Sequence, residues 1–245
     1  MSELRVLFED NHLLVVDKPA GLLVQGGRRE GGAGSGDGAD DHLVARAQDY
    51  LKSRYAKPGN VYVGLVHRLD RNTSGVVVLA KTSKAAERLA KAFATRAVDK
   101  TYLAVASGRT PAAGTLADRL APTDDGGSRV AAPDEPDAKP ARLHFTTLAS
   151  TGVASLLEVR LETGRKHQIR AQLAAAGHAL LGDRRYAAPA IAAAFSRPAL
   201  HALRIALTHP VRAHEQAFIA PIPPDFSGLC RELGLPLKPV SKNQP

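Results

Sequence analysis

The stretch His67-Arg68-Leu69-Asp70-Arg71-Asn72-Thr73-Ser74-Gly75 lies between two apolar runs, Val61–Val66 and Val76–Ala80. Strand-like runs on either side of a polar segment make a strand, loop, strand unit, with the loop carried on a rigid scaffold. At its centre is one carboxylate, Asp70, with Arg68 and Arg71 beside it in sequence. Nearby positive charge favours the ionised form of an acid. An ionised Asp at a strand end serves either as a nucleophile or base, or as one half of a salt-bridged turn. The loop alone leaves both readings open.

Upstream, Arg5–Glu9 and His12–Asp17 are short apolar runs split by Asp10-Asn11, the pattern of a hairpin. Residues 26–41 hold seven glycines and no apolar residue but alanine, so this segment reads as a flexible surface insertion over residues 26–40. It matches neither the dinucleotide nor the P-loop glycine spacing. A helix is expected over Asp41–Tyr55, capped by Asp41, with Leu43, Ala47, Tyr50 and Leu51 at helical spacing.

Downstream, Ser83–Arg96 is the clearest helix, with a stripe of Ala86, Leu89, Ala90 and Phe93. Lys100–Ala106 reads as a strand containing Tyr102. Ser107–Pro140, rich in Gly, Pro, Asp and Ala, reads as a long excursion with a short element near Leu116–Leu120. Arg142–Leu148 and Ser155–Leu161 form a second hairpin. Another helix starts near Thr163 or Gly164 and stops at Gly177. On it Ile169, Leu173 and Ala176 face the core, and Arg170 lies beside that stripe with His167 and Ala174. Leu181–Tyr186 is a polar turn and Leu200–Thr208 a further strand.

Strands outnumber helices and do not alternate with them. The expected class is therefore α+β, a largely antiparallel mixed central sheet flanked by helices, not a doubly wound parallel sheet. One domain over residues 1–235 is expected, with a disordered tail at 236–245.

The formal charge of +9 favours a polyanionic partner such as nucleic acid. One cysteine, Cys230, excludes an internal disulfide and fits a reducing compartment; it reads as inert packing. No signal peptide or membrane-length apolar run is present, so a cytoplasmic protein without a membrane partner is expected. The nine histidines are scattered, and none forms a metal-binding pair in the His-Glu-x-x-His pattern, so no metal is expected. Gly34-Ser35-Gly36 lacks the spacing of a serine nucleophile elbow, and His67-Arg68 is followed by Leu69, not the Asp of a kinase loop. Glycosidic chemistry usually takes two carboxylates, and only one is well placed. Chemistry on an unstacked nucleotide base is an alternative in which one Asp can suffice.

The run from His67 to Lys81 resembles the catalytic motif of the RluA family of RNA pseudouridine synthases. Five further stretches resemble family motifs in family order: Asp10–Gly21, Lys100–Ala104, Gly164–Arg170, Leu181–Tyr186 and Leu200–Ala202. The resemblance implies the pseudouridine synthase fold, with an active-site cleft across the sheet. It implies isomerisation of uridine to pseudouridine in structured RNA, rRNA or tRNA, without cofactor or metal. Asp70 is then the catalytic acid, as nucleophile or as ribose-proton acceptor. Arg170 is its ion-pair partner, and Tyr102 stacks on the flipped uracil. His67, Arg68 and Thr73 shape the loop or touch substrate. Arg165, Lys166, His167, Arg184 and Arg185 are candidate phosphate contacts.

The resemblance further implies the short form of the family, without an S4-like domain, and a monomer. Ala187 stands where relatives often have Gly, which puts the conformation of that turn in question. The rival is a catalytically silent RNA-binding or ribosome-assembly factor of the same fold, and the intact set of Asp70, Tyr102 and Arg170 argues against it.

Overall fold

The computed structural model describes residues 4–26 and 41–237. The glycine-rich segment from residue 27 and the tail from residue 238 lie outside the described residues, and with them the expectations of a flexible insertion and a disordered tail. Among the described residues there are eleven strands and five helices, as the α+β reading expects. In chain order they are β1 (Val6–Glu9), β2 (Leu13–Lys18), α1 (Leu43–Arg54), β3 (Gly64–Leu65), β4 (Ser74–Ala80), α2 (Ser83–Ala94), β5 (Asp99–Ser107) and β6 (Ala113–Pro122). There follow β7 (Ser128–Val130), β8 (Lys139–Ser150), β9 (Ala154–Leu161), α3 (Gln168–Ala175), α4 (Pro189–Ala193), β10 (Leu200–Thr208), β11 (Glu215–Ile219) and α5 (Pro224–Glu232). The chain forms two compact units. One comprises Met1–Val98 with Ile205–Pro221, the other Asp99–Arg204 with Ile222–Pro245.

In the first unit β1 and β3 are antiparallel neighbours of β2 and β4 respectively, and β2 pairs with β4. β2 and β4 are apolar without alternation, and Leu13–Val16 and Val76–Ala80 are almost wholly buried, as expected of strands covered on both faces. The Asp10 carboxylate accepts the N–H groups of His12 and Leu13, both at 2.8 Å, which closes the β1–β2 turn. α1 buries Leu43, Ala47 and Leu51. Its cap is not Asp41 but His42, whose Nδ1 accepts the Ala45 N–H at 3.1 Å. Asp41 instead forks the Arg46 guanidinium at 2.6 Å through both oxygens, a stronger charge-assisted arrangement than a neutral cap. α2 is capped by Thr82 and buries Ala85 and Leu89. Ala90, placed in its stripe by sequence spacing, is exposed, because the buried face is rotated toward Ala85.

In the second unit β5-β9-β8-β6-β7 form a consecutive antiparallel path. The excursion expected over Ser107–Pro140 is largely this sheet's outer hairpin. β6 is a ten-residue strand whose partners on β8 supply its order, not a hydrophobic run of its own. Tyr102, Ala104 and Ala106 of β5 lie on one face and join Leu143, Phe145, Leu157 and Val159. Ile169 and Leu173 of α3 complete that core. α3 begins at Gln168, later than sequence spacing indicates, because Thr163–His167 form a separate turn that Gln168 ties down. The Gln168 side-chain oxygen accepts the Thr163 hydroxyl at 2.8 Å and the Arg165 N–H at 3.0 Å. Ala176 is exposed as the C-cap, and Gly177, at φ +85, ends the helix as expected. α5 buries Phe226, Leu229 and Cys230, and Asp225 at its start forks the buried Arg197.

Candidate active site

The Asp70 loop belongs to the first unit. The Thr73 N–H donates to the Asp70 carbonyl at 3.1 Å, so residues 70–73 form a tight turn, and Thr73 and Ser74 are buried beneath it. Leu69 is buried and its neighbours Arg68 and Arg71 are exposed. The loop is pinned from the β2 side. Gly21 N–H donates to the Arg71 carbonyl at 2.9 Å, and Arg71 Nε returns a bond to the Gly21 carbonyl at 2.9 Å. Beneath them Lys18, fully buried, donates Nζ to the carbonyls of Leu22 at 2.8 Å and of Pro19 and Arg71 at 2.9 Å. A buried ammonium is tolerable when its donors are satisfied, and here it ties Arg71, next to Asp70, to the end of β2.

His67 is part of the same support. Its Nε2 accepts the Val78 N–H at 2.9 Å, and its ring stacks on Phe93 of α2 at 4.6 Å between centroids. The accepting Nε2 assigns the ring proton of a neutral His67 to Nδ1. Thr73 is likewise inside the fold, at 3% exposure.

Tyr102 and Arg170 belong to the second unit. Tyr102 is half-buried at the start of β5, opposite Val159 of β9, and packs against the core on which α3 rests. Arg170 stands one residue past the buried Ile169. Its Nε and Nη2 fork the Asp183 carboxylate at 2.7 and 2.8 Å. Asp183 is fully buried and also accepts the Arg185 N–H at 3.1 Å. The guanidinium carbon lies 5.1 Å from the centre of the Tyr186 ring. Sequence reading placed Asp183 in a polar turn and gave it no role; the signal available was an acid directly after a glycine. That glycine is required, since Gly182 has φ +77 and a Cβ there would lie 2.0 Å from the Arg197 carbonyl.

The candidate phosphate contacts divide. Arg184 and Lys166 are exposed. Arg165 donates Nε to the Pro140 carbonyl at 3.0 Å. Arg185 pairs with Asp125 of the β6–β7 turn at 2.5 Å. His167, at φ 53, turns its Nδ1 to the Tyr186 hydroxyl at 2.9 Å. Thus Arg184 and Lys166 present their charge to solvent, whereas Arg185 and His167 have protein partners. Among the described residues no group of three or more His, Cys, Asp or Glu is placed to hold a metal ion. No helix of the described residues is long and apolar enough to cross a membrane.

The profile of a family described as RNA pseudouridylate synthase matches residues 12–175, from β2 through the end of α3. This chain belongs to that family. Its relatives include a ribosomal large subunit pseudouridine synthase D of Zymomonas mobilis, 35% identical over 238 residues, covering 94% of this chain and 73% of the relative. One of the same name in Nitrosomonas europaea is 35% identical over 247 residues, covering 98% of this chain and 68% of the relative. An uncharacterized RNA pseudouridine synthase of Bacillus subtilis is 35% identical over 239 residues, covering 94% and 72%. The solved structure of human RNA pseudouridylate synthase domain containing 4 aligns with a TM-score of 0.75 at 25% identity, over 95% of this chain and 94% of that one. The fold is that of the pseudouridine synthases, and the chain is an RluA-type RNA pseudouridine synthase, an isomerase that acts on RNA.

Proposed function

We propose that this pseudouridine synthase isomerises specific uridines of structured RNA, with ribosomal RNA of the large subunit as the first candidate and tRNA as the second. The observation that carries the choice is the set of relatives named for the large ribosomal subunit, matched over nearly the whole chain. Asp70 is the catalytic carboxylate, acting on a base turned out of its stack. It either attacks C1′ or takes a ribose proton, and both roles need the ionised form. Arg170 is the ion-pair partner of Asp70 in this reading and holds the carboxylate in place. Tyr102 stacks on the uracil and assists removal of the C5 proton after the new carbon–carbon bond forms. The tight turn and the Lys18 clamp support this reading, because they hold the Asp70 turn rigidly between β3 and β4.

Arg68, Arg184 and Lys166 contribute phosphate contacts, and their exposure supports that assignment. The reaction takes place in the cytoplasm, on one catalytic domain over residues 1–235 that acts as a monomer. In the test, purified protein is incubated with separate pools of unmodified rRNA and tRNA, and pseudouridine is mapped by site. New pseudouridine at discrete large-subunit rRNA sites is expected. Modification confined to tRNA would refute the first choice of RNA, and no product in any pool would refute turnover by this chain. Asp70→Asn is expected to abolish product while RNA binding persists; wild-type turnover by that variant would remove Asp70 from the mechanism.

A further inference from the structure

We propose that Asp183, together with Tyr186, is a positioning residue for the reaction: the pair fixes the direction and plane of the Arg170 guanidinium. The inference rests on the reading of Arg170 as the partner of the catalytic carboxylate. The fork from Asp183 takes two of the five guanidinium N–H donors, Nε and Nη2, at 2.7 and 2.8 Å. Two parallel bonds to a planar group determine its plane as well as its position. The Tyr186 ring, 5.1 Å from the guanidinium carbon, closes off a second direction. Donors outside the fork remain chemically able to serve a second carboxylate.

The cradle is itself held from several elements. The Asp183 oxygen that meets Nη2 also accepts the Arg185 N–H at 3.1 Å, and the Asp183 carbonyl accepts the Ala187 N–H at 3.0 Å. Gly182 leaves no room for a side chain beside Arg197, so the turn follows one path. Tyr186 accepts the Ser128 N–H of β7 at 2.9 Å, and its own O–H is then available to His167 Nδ1 at 2.9 Å. Burial pushes the Tyr186 phenol up, which keeps that proton in place. The ring also packs with Leu120, Ala141 and Ala171. The start of α3, β7 and the turn after Leu181 therefore converge on one guanidinium.

A structural salt bridge alone does not account for this. α3 is already anchored by Ile169 and Leu173 in the core. The Asp183 and Arg170 side chains are 0% and 11% exposed, and an apolar pair would join helix and turn without the cost of removing two charges from water. A buried fork against a stacked ring is, by contrast, what a pre-oriented donor needs. Asn at position 183 would keep the shape but turn an N–H₂ toward one of the guanidinium donors, forcing the fork open.

The test compares wild type, Asp183→Asn, Asp183→Glu, Arg170→Lys and the Asp183→Asn/Arg170→Lys double variant. The readout is tritium release from C5-labelled uridine in the RNA pool that the wild type turns over, at saturating RNA, with RNA affinity measured separately. Misorienting a catalytic contact costs on the order of 100-fold, so Asp183→Asn is expected to lose about 30- to 100-fold in rate with RNA affinity changed less than about 3-fold. Asp183→Glu recovers part of the loss. The double variant is no slower than the slower single variant, since both act through one group.

Wild-type rate in Asp183→Asn with an impaired Arg170→Lys would overturn the cradle and leave the Arg170 role standing. Wild-type rates in both would overturn the two together. Multiplied losses in the double variant would show that Asp183 acts apart from Arg170, and would also overturn the proposal. If Asp183→Asn does not fold, Tyr186→Leu, checked for a cooperative thermal transition, probes the cradle from the ring side. A folded Tyr186→Leu protein at wild-type rate refutes it, and a rate loss at unchanged RNA affinity supports it.

Discussion

Replacing Lys18 by Met keeps most of the apolar stem of the side chain, one atom shorter, and removes its ammonium. In the structure that ammonium is fully buried and satisfies three carbonyls, of Leu22, Pro19 and Arg71. The Leu22 bond is buried, so its carbonyl loses its partner where water does not readily replace it, at a cost of about 2–3 kcal/mol. The Pro19 and Arg71 bonds are half-buried, and Arg71 retains the Gly21 N–H, so each contributes about 1 kcal/mol. Relief of the buried charge offsets part of the sum, and a net loss of about 2–4 kcal/mol follows. Urea unfolding followed by far-UV circular dichroism measures it, and with a slope of about 2 kcal/mol per molar the midpoint falls by about 1–2 M. Because Arg71 adjoins Asp70, turnover at a temperature where the variant is still folded falls as well. A midpoint within about 0.3 M of wild type, with unchanged turnover, would refute the assignment of Lys18 as the clamp of the Asp70 turn.

Three further outcomes follow from the same structure. Gly182→Ala places a methyl group against the Arg197 carbonyl at a positive φ, and should cost about 3 kcal/mol or more, read as a lowered thermal midpoint. For Glu9, burial pushes the carboxyl up, but hydrogen bonds from Lys81, Tyr55 and Tyr50 outweigh it and hold the group below its ordinary 4.5. A depressed folded value means that its stabilisation is complete above 4.5 and is lost as pH falls further, so the stability gap between wild type and Glu9→Gln should narrow on going from about pH 6 to pH 3; a constant gap would contradict it. Burial pushes the Cys230 thiol up to about 11, so alkylation near neutral pH should be slow in the folded protein and fast in urea, as mass spectrometry would show.

Much of the site could be read from local chemistry. The turn at Asp70 is set by residues within three positions of it, and Thr73 closes it through a local backbone bond. Gly177 ends α3 because only a left-handed residue fits there easily, and that preference is written in one position. The cap of α1 was misplaced by one residue because Asp41 had a better partner, Arg46, five residues on. β6 escaped sequence reading because its residues alternate weakly and its order comes from β8. A ladder partner is a non-local fact, and no window along the chain contains it.

The pattern of strands and helices along the chain points to the α+β class, and the resemblance of its ordered motifs to the RluA family implies the candidates Asp70, Tyr102 and Arg170. Tertiary structure alone decided what supports them. His67 became a strut because Phe93 of α2 stacks beneath it. Arg170 acquired Asp183 and Tyr186 because the turn after α3 folds back over the helix start. A salt bridge across 13 residues and a hydroxyl bond across 58 are selected by the packing of whole elements. Charge pattern names the groups that can pair; the folded backbone chooses which of them come within reach.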